Sequence, residues 1–218
     1  MTEAFTALSK EKQTAILHAA AAEFAEHGYK QASTNRIVQA AGIGKGMLFY
    51  YFGSKLDLYH DLLDRTCEMI QQYSDRLLAS SEGIGIIEVI LHATRVKMEA
   101  YLENPALFDF LARIYLHPEE ANVSERTRTV FQQFFESREH IFLGELLAKA
   151  DQSKLRRDIP PERLMQYIGF TMAGYTQHLT DRVKAEPVKL ASELDWKPWL
   201  DELDAIAKDL KILFYSES

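Results

Sequence analysis

One short stretch in the N-terminal quarter of the chain concentrates residues whose chemistry suits contact with a nucleic acid. Lys45 can reach a phosphate or a guanine edge, and the neighbouring Gly46 lets the backbone come close to a ligand. Tyr50, Tyr51 and Lys55 can donate hydrogen bonds or an ion pair to phosphates and so hold a register. The stretch therefore predicts contact with double-stranded DNA.

Two short helices joined by a tight turn would position these side chains. Ser33 or Thr34 is a suitable N-cap for the first helix, and Gly42 has no Cβ to oppose the positive φ of the turn. Leu48 points back into a small core. In a helix-turn-helix of this kind the second helix enters the major groove. The alternative is an ordinary pair of short surface helices in an α-bundle.

Charge is distributed unevenly along the 218 residues, which carry a net charge of −7. Residues 1–60 hold six Lys or Arg against five Asp or Glu, and the remainder holds 19 against 27. The acidic excess therefore lies outside the predicted DNA-contacting stretch. This pattern is compatible with a small dimeric reader of DNA sequence and excludes a sequence-blind electrostatic binder.

Several classes of protein are disfavoured by what the sequence lacks. The single Cys67 cannot form an internal disulfide, no apolar run is long enough to span a membrane, and no secretory signal is visible. We therefore expect a cytoplasmic protein without a membrane partner. The enzyme motifs Gly-x-Ser-x-Gly, His-Glu-x-x-His and the phosphate-binding loop are also missing, so we expect no enzymatic activity, no cofactor and no metal.

Apolar periodicity and helix-capping residues predict an all-α fold. The predicted helices cover residues 9–27, 34–41, 45–50, 55–79, 84–103, 106–116, 119–149, 161–184 and 197–214. Hydrophobic residues make up 47% of the chain, which is enough for a sizeable core.

Residues 10–60 resemble the N-terminal domain of the TetR family of transcriptional regulators. The family's common pattern is Gly-Val-Ser-Lys-Gly-Thr-Leu-Tyr-x-His/Tyr-Phe-x-Ser/Thr-Lys, and this chain has Gly-Ile-Gly-Lys-Gly-Met-Leu-Phe-Tyr-Tyr-Phe-Gly-Ser-Lys over residues 42–55. The resemblance implies a three-helix helix-turn-helix DNA-binding domain in residues 1–54. It also implies a C-terminal helical bundle for ligand binding and dimerisation in residues 55–218.

The resemblance further implies which residues meet DNA. Carried over position by position, the contacts to phosphates or bases fall on Ser33, Thr34, Lys45, Gly46, Met47, Tyr50, Tyr51 and Lys55. The chain departs from the family pattern at three places. Gly44 replaces a usual Ser, Met47 replaces a usual Thr or Ser, and Phe49 replaces a usual Tyr. Because of these changes, the resemblance does not imply which bases are read.

Two faces of the predicted helix 161–184 suggest roles for the C-terminal bundle. Because the family dimerises through its last two helices, one face is predicted to form the dimer seam, with packing inside the subunit as the alternative; it carries Met165, Gly169, Met172, Ala173 and Thr176. The other mixes apolar, hydroxyl and imidazole groups, as ligand pockets do, although aromatic residues at helical spacing are more often core. The predicted pocket comprises Tyr73, Tyr101, Phe108, Tyr115, Phe131, Phe135, Tyr167, Thr171, Tyr175 and His178.

These patterns predict a ligand-responsive repressor. It would bind a near-palindromic DNA operator as a homodimer and release it when a small-molecule effector binds the bundle. The alternative is an all-helical structural or protein-interaction module without DNA binding, which would leave residues 45–55 without a purpose.

Overall fold

The computed structural model of the chain describes residues 2–117, 122–133, 138–186 and 190–216, and it confirms the all-α fold. In these residues the α-helices are α1 (Glu3–Thr6), α2 (Lys10–Gln31), α3 (Thr34–Ala41), α4 (Lys45–Phe52), α5 (Lys55–Ser80), α6 (Ile86–Glu103), α7 (Pro105–Leu116), α8 (Glu125–Phe131), α9 (Arg138–Lys149), α10 (Pro161–Ala185) and α11 (Lys197–Phe214). No helix of the described ranges is long and apolar enough to cross a bilayer.

Most helix ends follow from local sequence. Ser9 caps α2 by accepting a hydrogen bond from the Lys12 N–H at 3.4 Å, and Pro161 stands in the first turn of α10. Gly28, at φ 66° and ψ 168°, breaks the helical geometry of α2 where the sequence predicts its end. A last turn then continues to Gln31.

The single helix predicted over residues 119–149 is wrong. Ser124 has an extended backbone at φ −156° and caps a new helix, α8, by accepting from the Thr127 N–H at 3.1 Å. A separate helix, α9, begins at Arg138. Apolar residues recur at helical spacing in both helices, so periodicity alone does not reveal that Ser124 begins a new helix. Residues 118–121 and 134–137 lie outside the described part.

The helices group into two compact units. Unit 1 is drawn from residues 1–72, 101–139 and 189–193, and unit 2 from residues 73–100, 140–188 and 194–218. The predicted functional boundary after residue 54 does not coincide with this division and stays a prediction.

Unit 1 has a core rich in aromatic side chains. Phe24, Tyr59 and Phe110 meet edge to face or tilted, with ring centroids 5.1 to 6.1 Å apart. Asp109 of α7 is buried and accepts hydrogen bonds from the Ser192 N–H and hydroxyl at 2.9 and 2.5 Å. These bonds attach the short segment around Ser192 to α7.

Unit 2 is built on an aliphatic core and closed by a polar cluster. The Tyr215 hydroxyl accepts from the Ile87 N–H at 3.0 Å and donates to Glu88 at 2.6 Å. Lys211 lies 2.9 Å from the other Glu88 oxygen. Burial raises the pKa of Glu88, but the bonds from Tyr215 and Lys211 outweigh it and lower that pKa to about 2. The cluster ties the end of α11 to the start of α6.

Candidate nucleic-acid interface

The turn between α3 and α4 has the geometry that the sequence predicts. Gly42 adopts the left-handed conformation at φ 65° and ψ 31°. Its N–H donates to the Gln39 carbonyl at 3.3 Å, and the Ile43 N–H donates to the Val38 carbonyl at 3.0 Å. These bonds satisfy carbonyls at the end of α3 that the helix leaves unpaired. The chain is thereby turned directly into α4.

Helix α4 separates its residues sharply into an inner and an outer face. Leu48, Tyr51 and Phe52 are buried in unit 1. The exposed residues define a surface that we call the recognition face: Lys45, Gly46, Met47, Phe49 and Tyr50. Exposed apolar and aromatic residues on a short helix are unfavourable in water unless a partner covers them, so this face has the properties of a binding surface.

Helix α1, which the sequence reading missed, supports α4 from behind. Phe5 is fully buried, with its ring 5.8 Å from that of Tyr51 and 4.8 Å from that of Phe52. Thr2 donates its N–H to the Tyr51 carbonyl at 3.0 Å and its hydroxyl to the Tyr50 carbonyl at 3.3 Å. The isolated Phe5 among small and polar residues was the signal that could have revealed this support.

The two adjacent tyrosines of α4 consequently differ in role. The side chain of Tyr50 is among the most exposed large side chains, at 62%, whereas Tyr51 is 5% exposed. The ring of Tyr51 packs in the core, which differs from the sequence expectation that it faces DNA. Two consecutive helical residues point about 100° apart, so an aromatic run cannot present all its members to one partner. A DNA contact from Tyr51 stays a prediction.

Lys55 is engaged within the protein at the first residue of α5. Its ammonium group donates to the Tyr29 carbonyl at 2.8 Å and to the Ala32 carbonyl at 3.2 Å. It also lies 4.6 Å from the centre of the Tyr29 ring. Lys55 therefore fastens α5 to the end of α2. The predicted anchoring of DNA by this residue stays a prediction.

A buried carboxylate fixes the start of α3. Glu23 of α2 accepts from the Ser33 N–H at 2.7 Å and from the guanidinium of Arg36, which it faces with both oxygens. Burial raises the pKa of Glu23, but the bonds from Arg36 and Ser33 and the charge of His27 together hold it below its usual value. Ser33 is the N-cap residue of α3, and its side chain makes no capping bond to the helix.

Two of the remaining predicted DNA contacts are Thr34, at the start of α3, and Gly46, in α4. Thr34 opens α3 and is half-buried. Gly46 has no atom within 4 Å of the place where a Cβ would stand, so the backbone of α4 is open to close approach there.

The predicted pocket residues are divided between the two units. In unit 1, Tyr101 is buried and its hydroxyl donates to Asp109 at 3.3 Å, while Phe108 lies 5.7 Å from the Tyr101 ring and Tyr115 is exposed. In unit 2, Tyr73 stacks with Arg76. The side chain of Phe131 and all of Phe135 lie outside the described part.

Helix α10 distributes its burial differently from the sequence expectation. Among predicted pocket residues, Tyr167, Thr171 and His178 are exposed and Tyr175 is half-buried. Among predicted seam residues, Met165 and Met172 are half-buried and pack against the core of unit 2, Gly169 is half-buried, and Ala173 and Thr176 are exposed. Periodicity defines the two faces of the helix, but it does not say which of them meets the core.

The most exposed aromatic residue of α10 was not singled out in the sequence. Phe170 is 72% exposed beside Tyr167, and α11 exposes Ile212 and Leu213. Arg182 of α10 pairs with Glu202 of α11 at 2.5 Å, so the two helices are joined at this point. We call Tyr167, Phe170, Ile212 and Leu213 the exposed apolar residues of unit 2.

The side chains that could bind a metal are dispersed over the part of the chain that the structure describes. Among the described residues, no three His, Cys, Asp or Glu side chains converge as a metal site requires. Burial raises the pKa of the Cys67 thiol to about 12, so this thiol is not activated as a nucleophile.

Comparison with known proteins relates the N-terminal helices to a family and most of the chain to curated relatives. Residues 16–62 match the family model of the bacterial regulatory proteins of the tetR family. The transcriptional repressor AcnR of Corynebacterium efficiens is 25% identical over 171 residues, covering 78% of this chain and 83% of the relative. AcnR of Corynebacterium glutamicum is 27% identical over 176 residues, with the same coverage of each.

Solved structures share the fold at low sequence identity. A TetR-like transcriptional regulator from Rhodococcus sp. RHA1 superposes with a TM-score of 0.60 at 17% identity, covering 94% of this chain and 96% of the other. A TetR family regulator from Chloroflexus aurantiacus gives a TM-score of 0.59 at 21% identity and covers 99% of each chain. The helix-turn-helix and the matching family model identify residues 16–62 as a DNA-binding domain of the tetR family, and the curated relatives support a DNA-binding transcriptional regulator.

Proposed function

We propose that the protein is a ligand-responsive repressor, which binds a near-palindromic operator as a homodimer and releases it when a small molecule binds. The recognition face of α4 carries this proposal, because it is exposed while its supports are buried. The repressor mode is supported by the AcnR relatives, whose names describe repressors.

The proposed homodimer follows from the small size of the recognition face. Helix α4 has eight residues and can contact only a few base pairs. Two copies that meet successive major grooves, about 34 Å apart, would double the contacts and select a near-palindromic site. The exposed apolar residues of unit 2 supply a surface for such pairing, since large apolar side chains on a monomer are unfavourable in water.

A ligand site in unit 2 is supported by one buried polar atom. The hydroxyl of Tyr175 is buried and has no hydrogen-bond partner among the described residues. Leaving a buried hydroxyl unsatisfied costs ~1–3 kcal/mol, which a bound ligand with a polar group would recover. Helix α5 contributes residues to both units, so a shift of α5 on ligand binding would change the position of α4.

Selection of duplexes from a random DNA library by the full-length protein tests the central proposal. We expect enrichment of near-palindromic sequences. Lys45→Ala should weaken their binding by at least about tenfold and reduce the salt dependence by about two units of slope, because the homodimer loses one phosphate contact in each half-site. Lys97→Ala, which removes an equally exposed lysine from α6, is the matched control and should bind as the parent does. Failure to enrich any sequence contradicts the proposal.

The effector part is tested separately with the selected duplex. Small molecules that bind the protein, found by thermal shift, are added to the protein–DNA complex. We expect at least one of them to release the duplex. If bound compounds leave the affinity for the duplex unchanged, the two sites are not coupled and the protein is not a ligand-responsive repressor.

A further inference from the structure

The side chains on the recognition face restrict the bases that this protein can read. In the major groove, Arg or Lys pairs with guanine, Asn or Gln with adenine, Asp or Glu with cytosine, and apolar groups contact the thymine methyl. The exposed residues of α4 are Lys45, Gly46, Met47, Phe49 and Tyr50. None of them carries the amide that makes bidentate bonds with adenine or the carboxylate that accepts from cytosine, and the Tyr50 hydroxyl can make only a single, less selective bond.

The angular positions of these residues show which of them face the groove. At 100° per residue, the buried Leu48, Tyr51 and Phe52 occupy one side of the helix, and Gly46 and Tyr50 lie nearly opposite them.

Met47 lies about 60° beyond Tyr50 on one side, and Phe49 lies about 60° beyond Gly46 on the other. Both expose more than a third of their surface. Lys45 lies at the margin, beyond Phe49. The centre of the face is therefore occupied by Gly46 and Tyr50, the apolar side chains of Met47 and Phe49 flank it, and the only charge of α4 lies at its edge.

The first helix of the motif does not supply the missing contacts. Arg36, the charged residue of α3, donates to both oxygens of Glu23 and to the Gln31 carbonyl. Its guanidinium is thus committed to holding α3 on α2. In a helix-turn-helix the first helix crosses the DNA backbone, so the exposed Asn35 and Gln39 are placed for phosphates and sugars rather than for base edges.

We propose that the protein recognises its operator through thymine methyl groups, which Met47 and Phe49 contact from the two flanks of the recognition face. The partner is then a duplex whose half-sites present thymines in the major groove, with Gly46 allowing close approach of the helix. Lys45 contacts a phosphate or a guanine at the margin of the same half-site. This inference rests on the proposed function and defines the chemistry of the DNA that serves it.

Replacement of single thymines by deoxyuridine in the selected duplex provides the test, because it removes only the C5-methyl group and leaves the protein untouched. Affinities are measured by fluorescence anisotropy with the full-length protein. Loss of one buried methyl group should weaken binding about three- to tenfold at one or more thymines of each half-site. Thymines in the flanking sequence are the internal control and should show no change.

Protein variants test which residue contacts each thymine methyl group. In Met47→Ala, the penalty for deoxyuridine at one thymine should fall to within twofold, while penalties at other thymines persist. Phe49→Ala should do the same for a different thymine. Both residues are exposed, and circular dichroism and thermal unfolding should match the parent protein.

The outcomes separate this inference from the proposed function. If no duplex is enriched, the proposed function fails. If a duplex is enriched but every deoxyuridine replacement leaves the affinity within twofold, sequence is read by other means and the inference is overturned. It is also overturned if the penalties remain unchanged in both variants, since another element then contacts the methyl groups.

Discussion

Substitution of Phe170 by alanine tests whether the exposed apolar residues of unit 2 form the dimer interface. The side chain of Phe170 is 72% exposed in the monomer, so nearly all of it is available for burial against a second copy. In a two-fold symmetric dimer the same surface is used by both subunits, and each substitution is counted twice.

The expected loss follows from the exposed fraction. Complete burial of a phenylalanine side chain contributes about 1.5–3 kcal/mol, so burial of the 72% that is exposed contributes ~1–2 kcal/mol per subunit. Two subunits give ~2–4 kcal/mol. Since ~1.4 kcal/mol corresponds to a tenfold change, the dimer dissociation constant should rise by about 30- to 1,000-fold.

Sedimentation equilibrium over a range of protein concentrations measures this constant directly. The matched control is Leu102→Ala, because Leu102 has the same 72% exposure but belongs to unit 1. It should leave the dimer constant within threefold of the parent. Circular dichroism and thermal unfolding at low concentration verify that both variants fold.

Two results would refute this reasoning. Equal dimer constants for Phe170→Ala and the parent protein would mean that the exposed apolar residues of unit 2 are not covered by a second copy. Equal weakening by both variants would mean that dimerisation responds to general surface hydrophobicity rather than to this interface.

Three further predictions concern the supports of the fold. Glu88 has a depressed pKa of about 2, so its contribution to stability is complete above its usual pKa of 4.5 and is lost as pH falls towards 2. After a discount for solvent screening, the free energy of unfolding in urea should fall by pH 3 by ~1 kcal/mol more in the parent than in Glu88→Gln. An equal fall in both proteins would contradict this. Lys55→Met should destabilise by ~1–3 kcal/mol in the same assay, because two carbonyls lose a donor, and an unchanged midpoint would contradict it. Gly42→Ala should cost ~1–2 kcal/mol from its positive φ alone. Gly44→Ala, at the N-cap of α4 with φ −76°, should cost only ~0.5 kcal/mol, and equal effects would exclude backbone strain.

The helix-turn-helix was predictable from sequence because its constraints are local. A residue without a Cβ is needed where φ is positive, and Gly42 supplies it at φ 65°. Leu48 must turn inward within one helical turn of α4, and it is buried. Such requirements are met by neighbours in sequence, so the motif and the ends of α3 can be read without knowledge of the rest of the fold.

The supports of the motif were not predictable because they join distant residues. Phe5 reaches Tyr51 and Phe52 across more than forty positions of the chain, and α1 is too short to show a period. The pairing of Glu23 with Arg36 likewise depends on how α2 and α3 cross. Sequence identifies these residues as apolar or charged, but only the fold brings them together.

The roles of α10 were also beyond the reach of periodicity. Leu164 and Ile168 define its buried stripe, and either neighbouring face is compatible with that stripe. Phe170 lies outside both predicted faces, and it is exposed. An apolar residue on a helix can contact the core, a ligand or a second subunit. All three environments favour apolar side chains, so residue type does not distinguish them.

Burial separates the predicted DNA contacts into residues that support the motif and residues that are exposed on its surface. Tyr51 and Lys55 hold the motif together through core packing and carbonyl bonds, whereas Met47 and Tyr50 are exposed on α4. Weaker DNA binding after Tyr51→Ala would therefore report a disturbed core as readily as a lost contact. Tyr50→Phe removes a single exposed hydroxyl and leaves the core intact, so loss of affinity in that variant can be assigned to the interface with DNA.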